Sequence, residues 1–415
     1  MNTVYGVVAG IDVHKKMLAV VVAVVGEQEI EYRQHKCGTT TTELEQLAAW
    51  LTAQQVSEIA MESTAQYWRP VWIALEGRFR LHLAQPRSTQ APRGRKSDFA
   101  DAKRIVRRLL AEDLTLSYVP DREQRQWRTI TRMRVRMATQ QVRLRNQMEG
   151  LLEEGRIKLS SVVSDLMGVS GRRILWAMAR GEDDPAKLAA LAESRLSASE
   201  SQLQEALRGA LDPVERTLLK MLLEQWEQLE THIGKLELQM VEALKPWEEA
   251  VQRMVSIPGI SRVAAHQIVA EVGPEASAFL APEKLASWVG VCPGTQQSAE
   301  KSYSHRSAKG NPMMRRLLTQ CAWAAVKVKG SLFEQKFRTL LPRLGARAAI
   351  WAIAHRLLRV LWKVLHDKVS YQERGILDPA AQDRRRKRYL RELRKLGFDV
   401  QLTPVLPNPA LVPAR

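Results

Sequence analysis

A chain of 415 residues with 45% apolar content is long enough for two or three domains with real cores. Its formal net charge of +18 points to a polyanionic partner, and its longest apolar run, residues 17–25, is too short to cross a membrane. Cys37, Cys292 and Cys321 are far apart and form no CxxC pair, which argues against a disulfide framework or a zinc site and fits a reducing compartment. No signal-peptide pattern is visible, so the expectation is a soluble, cytoplasmic protein with no membrane partner.

Residues 4–13, 17–25 and 28–36 read as three strands, the first two rich in Val and Ile. A helix follows at 41–54 with threonines available as N-caps, then a strand at 58–62, a helix at 66–77, a strand at 81–85 and a helix at 98–111. Three strands followed by alternating helix and strand is an α/β pattern, and it is the element order of an RNase H-like domain. Residues 85–95, QPRSTQAPRGR, read as a loop. From 122 to 153 the chain reads as one long helix, with eight arginines against Glu123 alone up to residue 145. Residues 155–212 read as a mixed helical insert. A second long helix spans 214–244, with a seam of Leu218, Leu222, Trp226, Leu229, Ile233, Leu236 and Met240; together the two suggest an antiparallel coiled-coil arm. Trp127, Trp176, Trp226 and Trp247 read as anchors of core or coiled coil rather than base-stacking platforms.

Near 247 a third region begins. Residues 257–266, IPGISRVAAH, resemble the hairpin of a helix-hairpin-helix motif, in which backbone N–H groups around Gly259 face a phosphate. A short helix at 283–290, a polar loop at 291–310, and helices at 312–328, 331–340 and 346–370 follow. The expected domains are therefore 1–120, 121–246, a mainly helical 247–372, and a basic, Pro-rich tail at 373–415. Within that tail, residues 384–395 carry eight basic residues against Glu392.

The chemistry-bearing residues are four carboxylates and a serine-rich basic loop. Asp12 and Glu62 close apolar strand patterns, and Asp98 and Asp101 open a helix three residues apart, on one face. Carboxylates at strand ends suit hard divalent cations, and four of them can hold two metals that act on a phosphodiester. The expected ions are Mg2+, two per site, with Mn2+ able to substitute. Lys15 is a candidate phosphate contact; His14 reads as structural. Residues 301–316 carry five Lys/Arg and no acid. A serine beside such a loop can attack a phosphodiester while cations stabilise the developing charge. By spacing alone Ser298 competes with Ser302, Tyr303, Ser304 and Ser307.

Three blocks in this order resemble the DEDD-type insertion-sequence transposases of the IS110 family, the bridge-RNA-guided recombinases. They are residues 10–15 (GIDVHK), Glu62 with residues 96–102 (KSDFADA), and residue 257 through Ser298 to residues 309–316 (KGNPMMRR). The resemblance covers about residues 4–330. It implies a RuvC-like first domain holding Mg2+ on Asp12, Glu62, Asp98 and Asp101, and a C-terminal transposase domain with a serine nucleophile. The family's Gly-Leu-x-Pro turn corresponds to residues 290–293 (GVCP), and the matching serine is Ser298; Ala299 stands where the family has Gly.

The expectation is a recombinase that moves a DNA element in a bacterial or archaeal cell, associated with the nucleoid. Its partners would be double-stranded donor and target DNA, a structured non-coding RNA, and further copies of itself in a dimer or tetramer. Lys15, Arg93, Arg95, Lys96, Arg128, Arg132, Arg136, Gly259, Arg306, Lys309, Arg315 and Arg316 are the expected nucleic-acid contacts. The rival readings are a junction nuclease that uses water and the same carboxylates, and a non-catalytic RNA-binding protein on a decayed nuclease fold.

Overall fold

The computed structural model describes residues 6–62, 65–89, 97–194, 196–292, 296–298, 301–304, 309–373, 387 and 389–400. The chain divides into two units, Met1–Asp121 and Arg122–Arg415.

In the first unit the elements run β1 (Val7–Val13), β2 (Leu18–Val25), β3 (Ile30–Cys37), α1 (Thr41–Ala53), β4 (Glu58–Glu62), α2 (Trp68–Leu75), β5 (Arg80–Ala84), α3 (Pro86–Thr89), α4 (Asp98–Leu110) and β6 (Leu116–Ser117). The strands form one mixed sheet in the order β3-β2-β1-β4-β5-β6. β1 pairs antiparallel with β2 and parallel with β4, and β4 pairs parallel with β5. This is the expected strand and helix order, with two small additions. α3 occupies the start of what reads as a loop, and β6 adds an edge strand too short to leave a pattern.

Alternation along β1 decides which helix covers which face. Ala9, Ile11 and Val13 point into a core shared with Leu47 and Leu51 of α1 and Val71 and Leu75 of α2. Val8 points the other way, with Ala60 of β4, to meet Ala102, Ile105, Val106 and Leu109 of α4. Gly10 lies on this second face. A Cβ there would sit 2.5 Å from the carbonyl oxygen of Ala102 and 2.7 Å from Cγ2 of Val106. Glycine is therefore what allows α4 to lie directly on β1. α1 opens with a capping box in which Thr40 and Glu43 satisfy each other's backbone N–H groups.

The second unit opens with α5 (Arg122–Glu154), followed by α6 (Leu159–Val162), α7 (Val169–Ala179), α8 (Pro185–Ala190), α9 (Glu200–Ala206) and α10 (Pro213–Ala243). α5 and α10 are antiparallel neighbours, since one end of α5 shares Trp127 with Met240 and Leu244 and the other shares Met148 and Leu152 with Leu219 and Leu223. Arg134 to Glu237 at 2.7 Å ties the pair between these cores. The buried positions of α10 are Leu219, Leu223 and Met240, whereas Leu218 is 44% exposed, so the seam read from the sequence is displaced by one residue at its start. Trp176 and Trp226 pack on the core of the insert and Trp247 on the other.

Then come α11 (Glu248–Val255), α12 (Arg262–Val272), α13 (Pro282–Val289), β7 (Gln296–Ser298), β8 (Lys301–Ser304), α14 (Pro312–Ala325) and α15 (Leu332–His366). Where the sequence reads as a polar loop over 291–310, β7 and β8 form an antiparallel ladder in which Ser298 pairs with Lys301. Gln-Gln-Ser and Lys-Ser-Tyr-Ser show no apolar alternation, so the ladder leaves no sequence signal. The two helices read at 331–340 and 346–370 are both present within α15, separated at Gly345, whose φ of +72° and ψ of +165° are not helical.

Gly10→Ala is expected to destabilise the protein by about 1–3 kcal/mol, as overpacking of a tight contact does. Thermal unfolding and proteolysis of α4 check this; an unchanged melting temperature would mean that α4 does not need the missing Cβ.

Candidate active site

β1 and β4 are parallel, with Ile11 beside Met61, so the next residues, Asp12 and Glu62, emerge at one edge of the sheet. By alternation Asp12 shares the face of Gly10 and Glu62 that of Ala60, the face on which α4 lies. The first turn of α4 presents Asp98 and Asp101. Local chemistry thus converges four carboxylates from three separated stretches of chain.

The structure adds a fifth group. His14 Nε2 lies 3.1 Å from Asp12 Oδ2 and 3.4 Å from Asp98 Oδ1. One ligand atom from each of Asp12, His14 and Asp98 fits within 4.8 Å of the others. His14 reads as structural in the sequence, yet it bridges two of the acids. Its place two residues after Asp12 keeps it near that acid, but nothing local announces the contact to Asp98.

The remaining two acids are held just outside this trio. Asp101 Oδ1 accepts from Arg104 at 2.6 Å, one helical turn away. Glu62 Oε2 accepts from the buried Thr89 hydroxyl at 2.6 Å. Arg104 also donates to the Thr89 carbonyl at 3.4 Å, and Arg108 donates to that of Ser88. α3 and α4 are thereby cross-tied. The orientations of Glu62 and Asp101 are fixed by Thr89 and Arg104, groups with no motif of their own.

Burial raises the Asp12 carboxyl above the ordinary aspartate range; His14 opposes that, and Asp101 and Asp98 add to it by like-charge repulsion. Only 14% of its side chain is exposed. An oxygen-rich cluster that strains against its own charge is a donor set that a hard divalent cation satisfies. Lys15 is exposed beside it. Arg93, Arg95 and Lys96 lie outside the described residues.

The second unit carries the other candidates. Ser298 ends β7. Arg306 lies outside the described residues, and Lys309 and Arg316 are exposed. Arg315 donates to the carbonyls of Gly290 at 3.0 Å and Lys309 at 3.3 Å, and its guanidinium lies 4.7 Å from the Trp351 ring centre. It ties together the two ends of the segment that contains β7 and β8.

Gly259 has φ +83°, and a Cβ on it would meet the backbone nitrogen of Ala325 at 2.4 Å. The hairpin between α11 and α12 therefore packs on α14, which accounts for the glycine without a phosphate.

The arginine-rich face of α5 is also divided. Arg128 donates to the carbonyls of Ala270, at 3.2 Å, and Glu271. Arg132 grips the Glu271 carboxylate through two bonds of 2.7 and 2.9 Å. Arg136, like Arg122, Arg143 and Arg145, is exposed. Helical periodicity places these side chains around one helix but does not say that α12 covers part of it.

A transposase family model of the DEDD, IS110 type matches residues 9–156, and one described as the transposase IS116/IS110/IS902 family matches residues 251–338. Together they span more than half of the chain. The chain is 26% identical over 322 residues to a probable family 20 transposase of Pseudomonas aeruginosa, covering 76% of this chain and 85% of that one. A putative transposase of Sinorhizobium fredii is 25% identical over 69% of this chain and 71% of its own. The transposase for insertion sequence element IS1111A of Coxiella burnetii is 26% identical over 39% of this chain and 45% of its own. Among solved structures, that of Thermus thermophilus RuvC aligns over 27% of this chain and 99% of its own, at 16% identity and a TM-score of 0.22. With the carboxylates of its first unit inside one match and the β7–β8 segment inside the other, the chain belongs to the IS110 family of insertion-sequence transposases, enzymes that cut and join DNA.

Proposed function

We propose that this transposase excises and inserts its element by serine-mediated strand exchange assisted by Mg2+ and guided by a structured non-coding RNA. The observation that carries the metal half is the convergence of Asp12, His14 and Asp98 at the sheet edge, with one ligand atom of each within 4.8 Å of the others, and with Glu62 on the neighbouring strand end and Asp101 on the same helical turn as Asp98. Asp12, Glu62, Asp98 and Asp101 would hold the ions, Mg2+ or Mn2+, two per site. Bound there, the metal supplies charge stabilisation to phosphodiester oxygens.

In the same reading Ser298 Oγ attacks a DNA phosphorus. A P–Oγ bond forms, a P–O bond to deoxyribose breaks, and the departing DNA oxygen takes a proton. Energy is conserved in the phosphoserine link, so the strand can be rejoined to a different end. Lys309, exposed just before α14, and Arg316, exposed within it, would neutralise the scissile phosphate. Arg306 would join them, and Arg315 would act by holding the segment closed.

The RNA would be recognised through shape and backbone, by exposed arginines of α5 and the basic tail, with little reading of base edges. Exchange between two duplexes needs at least two active sites, so a dimer or tetramer follows. Hydrolysis by water at the same carboxylates is the alternative, and it forms no covalent link between protein and DNA.

Ser298→Ala is expected to eliminate the covalent DNA–protein product on denaturing gels while DNA and RNA still bind, because one hydroxyl is removed. Cleavage that persists in this variant would favour the water-using nuclease, and an adduct on Ser302, Tyr303 or Ser304 would move the nucleophile.

Replacing Arg122, Arg136, Arg143 and Arg145 with Gln should flatten the salt dependence of nucleic-acid binding, by about one unit of log–log slope for each phosphate no longer neutralised. An unaltered slope would mean that this face is solvated only.

Asp12→Asn is expected to abolish strand transfer and yet raise the melting temperature of the metal-free protein at neutral pH. The sign follows from linkage: a carboxyl whose value is raised on folding costs stability once it is ionised in both states, and costs nothing below the ordinary carboxylate range. The gain should therefore vanish in acid. A variant that is less stable than wild type at neutral pH would show that Asp12 is a structural ligand of the fold.

A further inference from the structure

Glu271 is a charged group in the second unit that the reaction scheme does not use. It sits in the last turn of α12 with only 3% of its side chain exposed. A carboxylate that deep is costly unless its oxygens are satisfied. Here Oε1 accepts from Arg132 Nε at 2.7 Å, and Oε2 from Arg132 Nη2 at 2.9 Å and Asn311 Nδ2 at 3.1 Å. Arg128 Nε stands 3.7 Å from Oε2.

Asn311 is the hinge of this network. Its Oδ1 caps α14 by accepting from the N–H groups of Met313, at 2.9 Å, and Met314, at 3.2 Å. Its backbone N–H donates to the Trp288 carbonyl at 3.1 Å. Gly310, with φ +51°, fits so tightly that a Cβ would meet the Val289 oxygen at 2.1 Å. The cap and the amide's orientation are therefore set jointly: one end of the side chain holds the helix, the other donates to Glu271.

We infer that Glu271 is a positioning residue that locks Asn311, and with it the downstream anchor of the β7–β8 segment, to Arg132 on the long helix α5. Through this link the nucleic-acid-facing arm and the serine-bearing segment share one rigid joint. The inference rests on the proposed role of Ser298 in that segment. Small displacements of a nucleophile cost large factors in rate, so a loosened joint should show in turnover before it shows in binding.

The polarity of the bond provides the test. In Glu271→Gln the new amide N–H2 faces that of Asn311, or Arg132 is deprived of an acceptor. In Asn311→Asp two carboxylates face each other, although Asp still caps a helix. In the double variant the amide at position 271 can donate to the carboxylate at position 311 and accept from Arg132. Donor and acceptor are then exchanged and the joint is remade.

Strand transfer is measured at saturating DNA, with DNA affinity and hydrogen exchange of the α14 first turn read on the same full-length proteins. Each single variant should slow strand transfer by about tenfold or more, keep DNA affinity within about threefold, and speed exchange at Met313 and Met314. The double variant should return rate and exchange close to wild type. Single variants at the wild-type rate, or a double variant as slow as the slower single, would overturn the inference. Should Glu271→Gln fail to fold, Asn311→Asp against the double variant decides in the same way. Failure of the serine reading is visible separately, as wild-type protein that transfers strands without a covalent adduct.

Discussion

The close approach of α4 to β1 is the constraint on which the first unit depends. Helix on strand at van der Waals distance is possible only because Gly10 has no side chain to fill the gap beneath Ala102 and Val106. Once α4 is seated, its buried residues Ala102, Ile105, Val106 and Leu109 fix its rotation. That rotation turns Asp98 and Asp101 towards the strand end that carries Asp12. Packing and chemistry are the same arrangement seen from two directions. The apolar face of α4 anchors the helix, and its first turn brings Asp98 and Asp101 to the largely buried carboxyl of Asp12.

Both units handle buried charge, in opposite ways. Around Glu271 every oxygen has a donor, and the result is a closed network that fixes an interhelical joint. Around Asp12 burial, with two further acids adding to it and His14 opposing, leaves the carboxyl raised above its usual range. A carboxylate with a donor on every oxygen rigidifies; one crowded by other acids is available to a ligand. Arg104 and Thr89 hold Asp101 and Glu62 in the meantime, through bonds of 2.6 Å each.

Much of the first unit is legible in the sequence because its signals are local. Val-rich strands, an acid at each strand end and an Asp pair at a helix start are all properties of short windows, and Asp12, Glu62, Asp98 and Asp101 follow from them. His14 is not legible in this way, because its role depends on Asp98, which lies far along the chain. Arg128 and Arg132 read as phosphate contacts from their helical spacing. Their side chains are engaged by α12, a long-range contact that periodicity along α5 does not encode. The β7–β8 ladder escapes the sequence for the same kind of reason: backbone pairing of polar residues has no compositional mark. Gly259 reads as a phosphate turn, and its visible role in the fold is to let a hairpin touch the backbone of α14.

The claim that underlies the catalytic account is that the acidic edge of the sheet binds divalent cations. Diffraction from crystals grown with Mn2+, recorded at the manganese absorption edge, tests it most directly. Anomalous peaks bounded by Asp12, Glu62, Asp98 and Asp101 are the expected result. A map without peaks at that edge, at Mn2+ concentrations that support strand transfer, would contradict it.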